Sequence, residues 1–350
     1  MFLSLAGLVL FSCIVVEPSP PAASPPSAPQ VAAVATLPAS FEKHQTTDRF
    51  GRTITFYMRA PLDGTGDLPI VLFIGGSGAQ SVWQQIKDKA VLSYGASVLA
   101  GEARGKARLM MVEKPGVEFL GTGERPGSAM GASPEFRAEH TLERWAEANR
   151  AALDAALKLP GVDASRILVC GHSEGGLVAC RVAALEPRVT NVASAAGGGA
   201  SQLFDLMLLA RNGEFCQGGT GEECVQNLLN GWREVLQDPQ SADKLWLGHP
   251  YRRWSSFLAS SPMEELDQTK AKIHIAQGTA DRAVSVSSFD VLYAHLLSRG
   301  RDVTGKRIDG ADHSFNRKNE DGSQVDGWTE LWKDVIAWFV ATGAQQPAPG

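Results

Sequence analysis

Hydrophobic and polar positions alternate in two rhythms along most of this chain. Short apolar runs, from about residue 41 onward, are separated by longer stretches in which apolar residues return every three or four positions. Arg52–Met58 alternates polar with apolar, as a half-exposed strand does. Pro69–Ile74 is continuously apolar and stops at Gly75, Gly76, Ser77 and Gly78, the pattern of a central strand buried on both faces. Ala107–Val112, Arg166–Cys170 and Lys272–Ala276 read as further strands, with two more at 189–196 and 302–308. Helices are predicted over 135–159, 175–185, 286–299 and 328–341. In the first of them Leu142, Trp145, Ala148, Ala152, Ala156 and Leu159 form one apolar stripe. Strands alternating with helices imply an α/β fold, with a mostly parallel central sheet flanked by helices on both faces. The alternation lapses at 200–265, a mostly helical stretch rich in Leu, Trp and Phe. This stretch is expected to be a cap inserted over the strand ends.

The residues that carry chemistry are expected at those strand ends. Gly171, His172, Ser173, Glu174 and Gly175 form a G-x-S-x-G motif, with a predicted strand before it and a predicted helix after it. A sharp strand-to-helix turn of this kind holds a serine clear of the sheet above a helix N-terminus, and glycines flank it where side chains would collide. A serine hydroxyl is a weak nucleophile near neutral pH, so it needs a histidine to take its proton and a carboxylate to orient that histidine. Asp281 follows the strand at 272–276 and His313 follows the strand at 302–308, giving the chain order Ser173, Asp281, His313. Asp309 and Asp312 lie too close along the chain to support His313 from the required side. The remaining histidines, His44, His140, His172, His249, His274 and His295, read as structural. For the oxyanion of a tetrahedral intermediate, backbone N–H donors are expected from Glu174 and from the loop after Pro69–Ile74, with Ser77 first and Gly76 next.

With these four segments, Gly75–Gly78, Gly171–Gly176, Gly278–Val284 and Gly310–Phe315, the chain resembles an α/β-hydrolase superfamily serine hydrolase over roughly residues 50–342. Its elbow, with the preceding Val162–Ile167, is similar to the catalytic domains of prolyl oligopeptidase-like and dienelactone hydrolase-like enzymes. The oxyanion loop departs from the His-Gly form common in lipases and esterases, with Gly75 in place of the histidine. The resemblance implies an acyl-enzyme mechanism without a cofactor. A carboxylic ester hydrolase for small or medium acyl groups is the first expectation, and a peptidase or amidase with the same triad is the second. A non-catalytic binding protein on a hydrolase fold is the third. Trp246, Trp254 and Phe257 are candidates to line an acyl pocket. Asp205, Glu214, Glu222 and Glu223 are cap acids that read as a solvated face, though a peptidase would use such acids to bind a substrate amine.

Charge and cysteines narrow the picture. A formal charge of −5, without a dense Lys/Arg run, excludes broad nucleic-acid binding. Past the N-terminus no apolar stretch is long enough to span a bilayer. Residues 1–12 read as a signal peptide. Leu10, Phe11, Ser12 and Cys13 resemble a bacterial lipobox, which makes Cys13 a candidate lipidation site and the protein an exported one, anchored in the periplasm or cell envelope. An ordinary cleaved signal peptide is the alternative. Residues 13–40 read as a tether, with six prolines between 18 and 29, and 41–345 as the hydrolase domain. Cys170 and Cys180 fall at core positions, and Cys216 and Cys224 bracket a Gly-rich loop that a disulfide would close in an oxidising compartment. No Cys/His spacing suits zinc, so no metal is expected.

Overall fold

The computed structural model describes residues 35–343 apart from 65, 217 and 320. The signal peptide, Cys13 and most of the tether lie outside the described residues. The folded domain begins earlier than residue 41, because Ala35 is buried in the core and Leu37 packs against it.

Eight strands form the central sheet: β1 (Phe41–Thr47), β2 (Thr53–Arg59), β3 (Leu68–Ile74), β4 (Arg108–Val112), β5 (Val162–His172), β6 (Asn191–Ala195), β7 (Lys272–Gly278) and β8 (Val303–Ile308). Their spatial order is β1-β2-β4-β3-β5-β6-β7-β8. β1 and β2 form an antiparallel hairpin, β2 runs antiparallel to β4, and every later pairing is parallel. The parallel strands therefore share one carboxyl edge, where ligands of open α/β sheets are bound. β1 carries Glu42, Lys43, His44 and Gln45, too polar to announce itself as a strand, and it is tolerated because it closes the sheet as an edge.

Alternate residues of the central strands feed two cores. Ile70, Leu72, Ile74, Ile167 and Val169 face α3 (Leu142–Ala156) and α4 (Glu174–Leu185), while Val71, Phe73, Leu168 and Cys170 face Leu99, Trp332 and Phe339 on the opposite side. Two of those last residues lie on the terminal helix, Gly327–Gly343.

The helix expected over 135–159 is two helices, α2 (Pro134–Glu139) and α3, separated at His140 and Thr141. Ser133 and Thr141 each cap a helix start, accepting from the N–H of Phe136 at 3.0 Å and of Arg144 at 3.3 Å. Both are strong N-cap residue types, and the second cap ends the first helix and turns His140 inward. The cap is helical, with α5 (Gln202–Arg211), α6 (Gly221–Gln237), α7 (Tyr251–Phe257) and α8 (Pro262–Asp267), plus a small hairpin pairing Leu245–Trp246 with His249–Pro250. A capping box between Thr220 and Glu223 starts α6, and a disulfide joins Cys216 to Cys224 in its first turn. Leu206, Val225, Leu228 and Trp254 form a separate cap core with Trp232 and Trp246.

Candidate active site

Ser173 stands between β5 and α4 with φ 56° and ψ −127°, a backbone conformation that costs a non-glycine residue on the order of 1–3 kcal/mol. Its neighbours explain why the turn persists. A Cβ on Gly171 would lie 2.1 Å from the Gly175 carbonyl oxygen, and one on Gly175 would lie 2.1 Å from that of Ile74. The glycines let β3, β5 and α4 approach closely, and the Ser173 N–H is tied to the Ala195 carbonyl at the end of β6 at 2.9 Å. Among the described residues the serine hydroxyl makes no hydrogen bond, so His313 is paired with Asp281 but not with Ser173.

The loops after β7 and β8 bring Asp281 and His313 together. His313 Nδ1 donates to Asp281 Oδ2 at 2.8 Å. The same carboxylate, its side chain fully buried, accepts from the Ala283 and Val284 N–H groups at 2.7 and 2.9 Å and from Gln277 Nε2 at 2.7 Å. Burial pushes this carboxyl up, but the His313 bond and charge and the two backbone donors outweigh it and hold the group below its ordinary value. Asp309 accepts from Thr279, and Asp312 accepts from the N–H groups of Ser314 and Asn316 within its own turn. His172 packs its ring 4.7 Å from that of His313 and pairs through Nε2 with the His313 carbonyl oxygen at 2.8 Å. Burial, then the neighbouring His313, pushes the His172 pKa down to about 3, so the ring is neutral and its Nε2–H is the donor. It braces the histidine loop from the elbow.

The loop after β3 passes alongside the serine. A Cβ at Gly76 would stand 3.4 Å from Ser173 Cβ and 3.9 Å from its Oγ, ordinary contact distances that put the loop directly beside the serine. Ser77 Oγ donates to the Gly127 carbonyl at 3.2 Å, and His249 Nε2 pairs with the same oxygen at 2.9 Å. Glu113, directly after β4, accepts from Ser81 Oγ and the Val82 N–H at 2.9 and 3.1 Å, fixing the far end of this loop.

Beneath the elbow lies a buried polar cluster that sequence reading missed, in which burial pushes the His140 pKa down and favours its neutral ring. Glu174 Oε1 pairs with His140 Nε2 at 2.9 Å and lies 3.6 Å from Lys114 Nζ, while Oε2 accepts from Arg253 Nη2 at 2.6 Å. The four side chains are between 1% and 4% exposed, so solvent does not screen them. Burial alone would raise the Glu174 carboxyl, but His140, Arg253 and Lys114 hold it well below the usual carboxylate range. Arg253 arrives from the cap, sandwiched 4.2 Å from the Trp254 ring centre and 4.3 Å from that of Phe257. The one local signal was the pair Glu113 and Lys114 placed immediately after an apolar strand.

A narrow pocket of about 30 Å³ adjoins Ser173. Leu177, Phe257, Pro262 and Val284 give it apolar walls, and Gln202 and Asp205 add polar groups. Two expectations need correction. Trp246 and Trp254 do not line this pocket; they meet edge to face in the cap core with ring centres 5.2 Å apart, because the cap needs its own apolar interior. Asp205 does not belong to a solvated face. It is buried, accepts from the Ser285 N–H and Ser288 Oγ at 3.1 Å each, and its pKa is pushed up to about 7, chiefly by burial. The other cap acids serve locally: Glu214 pairs with Arg282, Glu222 with Arg211, and Glu223 caps α6. Among the described residues no group of three or more His, Cys, Asp or Glu is placed to hold a metal ion.

The strand order, the elbow and the loops converging on one sheet edge define an α/β hydrolase. The model of the alpha/beta hydrolase family matches residues 71–322, and the chain belongs to that family. Among solved structures it is similar to Est1E from Butyrivibrio proteoclasticus, with 16% identity, a TM-score of 0.54, and coverage of 87% of this chain and 99% of that one. It is also similar to a puromycin-hydrolyzing peptidase of Mycobacterium tuberculosis (17% identity, TM-score 0.57, 92% of this chain and 41% of that one). The acylaminoacyl peptidase of Pyrococcus horikoshii matches at 13% identity and a TM-score of 0.54, over 86% of this chain and 41% of the peptidase. The chain thus spans less than half the length of either peptidase, and at these identities the likeness is one of fold. No curated protein matches the chain in sequence.

Proposed function

We propose that the protein is a serine hydrolase that cleaves carboxylic esters of small acyl groups. In this reading His313 removes the proton of Ser173 as Ser173 Oγ attacks the acyl carbonyl. The N–H groups of Ser77 and Glu174, with Gly76 beside them, receive the oxyanion. His313 then protonates the departing alcohol, water attacks the acyl-enzyme, and Ser173 is restored. Asp281 orients the imidazole and stabilises its cation. The observation that carries the reading is the 2.8 Å bond between His313 Nδ1 and Asp281, held on the edge where Ser173 stands in its strained turn. The narrowness of the pocket beside Ser173, walled by Leu177, Phe257, Pro262 and Val284, supports a short acyl chain.

A second reading, a peptidase acting on aminoacyl amides, is favoured by one observation: the buried Asp205 carboxyl lines the same pocket and could meet a substrate amine. Hydrolysis of a short-chain aryl ester, the matching aryl amide and an aminoacyl amide separates the two, measured in wild type and in Ser173→Ala. Ester turnover alone, abolished in the variant, is expected. Strong aminoacyl-amide turnover makes the protein a peptidase, and turnover that survives Ser173→Ala removes Ser173 as nucleophile. Export and lipidation at Cys13 complete the proposal; mass spectrometry of the mature N-terminus from a bacterial host tests them.

A further inference from the structure

Lys114 is a buried cation with no part in the proton relay just described. It follows β4, and its ammonium donates to the Gly76 carbonyl at 2.6 Å and to the Gly78 carbonyl at 2.9 Å, with Glu174 Oε1 3.6 Å away. Three acceptors thus converge on one compact charge, an arrangement that suits a rotatable ammonium and not a planar guanidinium. A trans peptide unit holds its C=O and the next residue's N–H antiparallel. The Gly76 carbonyl and the Ser77 N–H belong to one such unit, so drawing that oxygen toward Lys114 turns the Ser77 N–H the opposite way.

We propose that Lys114 is a positioning residue for the oxyanion loop: by holding the Gly76 and Gly78 carbonyls it aims the Ser77 N–H at the carbonyl oxygen of an acyl group attacked by Ser173. The inference rests on the serine-hydrolase reading. It also gives Glu174 a double task. Its N–H is the other expected donor, and its carboxylate anchors the lysine that orients the first. His140 and Arg253 clamp that carboxylate from the α2–α3 junction and from the cap. The variable position inside G-x-S-x-G would then couple the cap to the oxyanion loop through a single carboxylate.

The test compares Lys114→Met and Lys114→Arg with wild type. The measurements are kcat and KM for a short-chain aryl ester, and the inhibition constant of an aryl trifluoromethyl ketone, which forms a tetrahedral adduct carrying the oxyanion. Rates are normalised to sites that react with a fluorophosphonate, so loss of folded protein does not register as loss of rate. Each variant is expected to lose kcat on the order of 100-fold and ketone affinity in parallel, with KM within about threefold. A purely structural lysine would lower the number of reactive sites and leave kcat per site and ketone affinity within about threefold of wild type; that result overturns the proposal. Should neither variant fold, amide NMR of the wild type decides. The Ser77 proton is expected to move downfield when the ketone adduct forms, and an unmoved Ser77 resonance overturns the proposal. A wild type that neither hydrolyses the ester nor takes fluorophosphonate on Ser173 defeats the serine-hydrolase reading itself, and the Lys114 role with it.

Discussion

The two arms that meet at Ser173 are built differently. The acid–histidine arm is held by hydrogen bonds within and between neighbouring loops: Asp281 binds the backbone of Ala283 and Val284 two and three residues on, and His313 faces it from the next strand's loop. The arm proposed to receive the oxyanion is held by a buried polar cluster drawn from four distant segments, Lys114, His140, Glu174 and Arg253. On the proposed reading, local hydrogen bonds place a group that trades protons, and they leave His313 partly exposed. On the same reading, the buried cluster places backbone donors that must not move. Its ions are costly to desolvate, and each depends on the others being present.

Substitutions can set the two arms against each other. The largest effect is expected at the reacting groups. Ser173→Ala and His313→Ala should each lower ester turnover roughly 10⁴-fold or more, with the double variant little worse than either, because the residues act as a unit. Steady-state rates check this, and additive losses would separate the two residues. Next comes the ionic arm. Arg253→Met leaves Glu174 short of a partner in a dry site and should lower unfolding stability by about 3–5 kcal/mol in denaturant titrations. Adding Glu174→Gln should restore part of that loss. A smaller loss is expected in the acid–histidine arm: Gln277→Leu removes one donor to the Asp281 carboxylate, about 1.5–3 kcal/mol by the same titration.

The last expected effect is a pH dependence. Burial pushes the Glu113 carboxyl up to about 8 from an ordinary value of 4.5. The folded state therefore binds a proton that the unfolded chain releases at lower pH. This contribution to stability is complete below about pH 4.5 and is lost as pH rises through about 8. Glu113→Gln should show a shallower decline in melting temperature between pH 5 and 8 than wild type. Equal declines would place Glu113 outside the pH response.

The same contrast sets what could be read from the chain. Ser173, Asp281 and His313 each sit in a short motif after a strand; the strands before Ser173 and Asp281 are legible because both their faces are buried, and β8, a partly exposed edge, is legible by its place in the alternation. The ionic arm carries no such mark. Lys114 follows Glu113 and looks like half of a surface pair, Arg253 follows Arg252 and looks solvated, and His140 lies inside what reads as one continuous helix. Only the third dimension gathers them under the elbow. Likewise β1 is too polar to announce itself, and the aromatic residues of the cap give no sign of which face its own core and which face the pocket. Phe257 does the second; Trp246 and Trp254 do the first.

The most direct test of the account is where a fluorophosphonate attaches. Intact-mass and peptide mass spectrometry should find one adduct per chain of the wild type, on Ser173, and none in His313→Ala over the same interval. Label on another residue, or equal labelling of the His313→Ala variant, would contradict a nucleophile at Ser173 activated by His313.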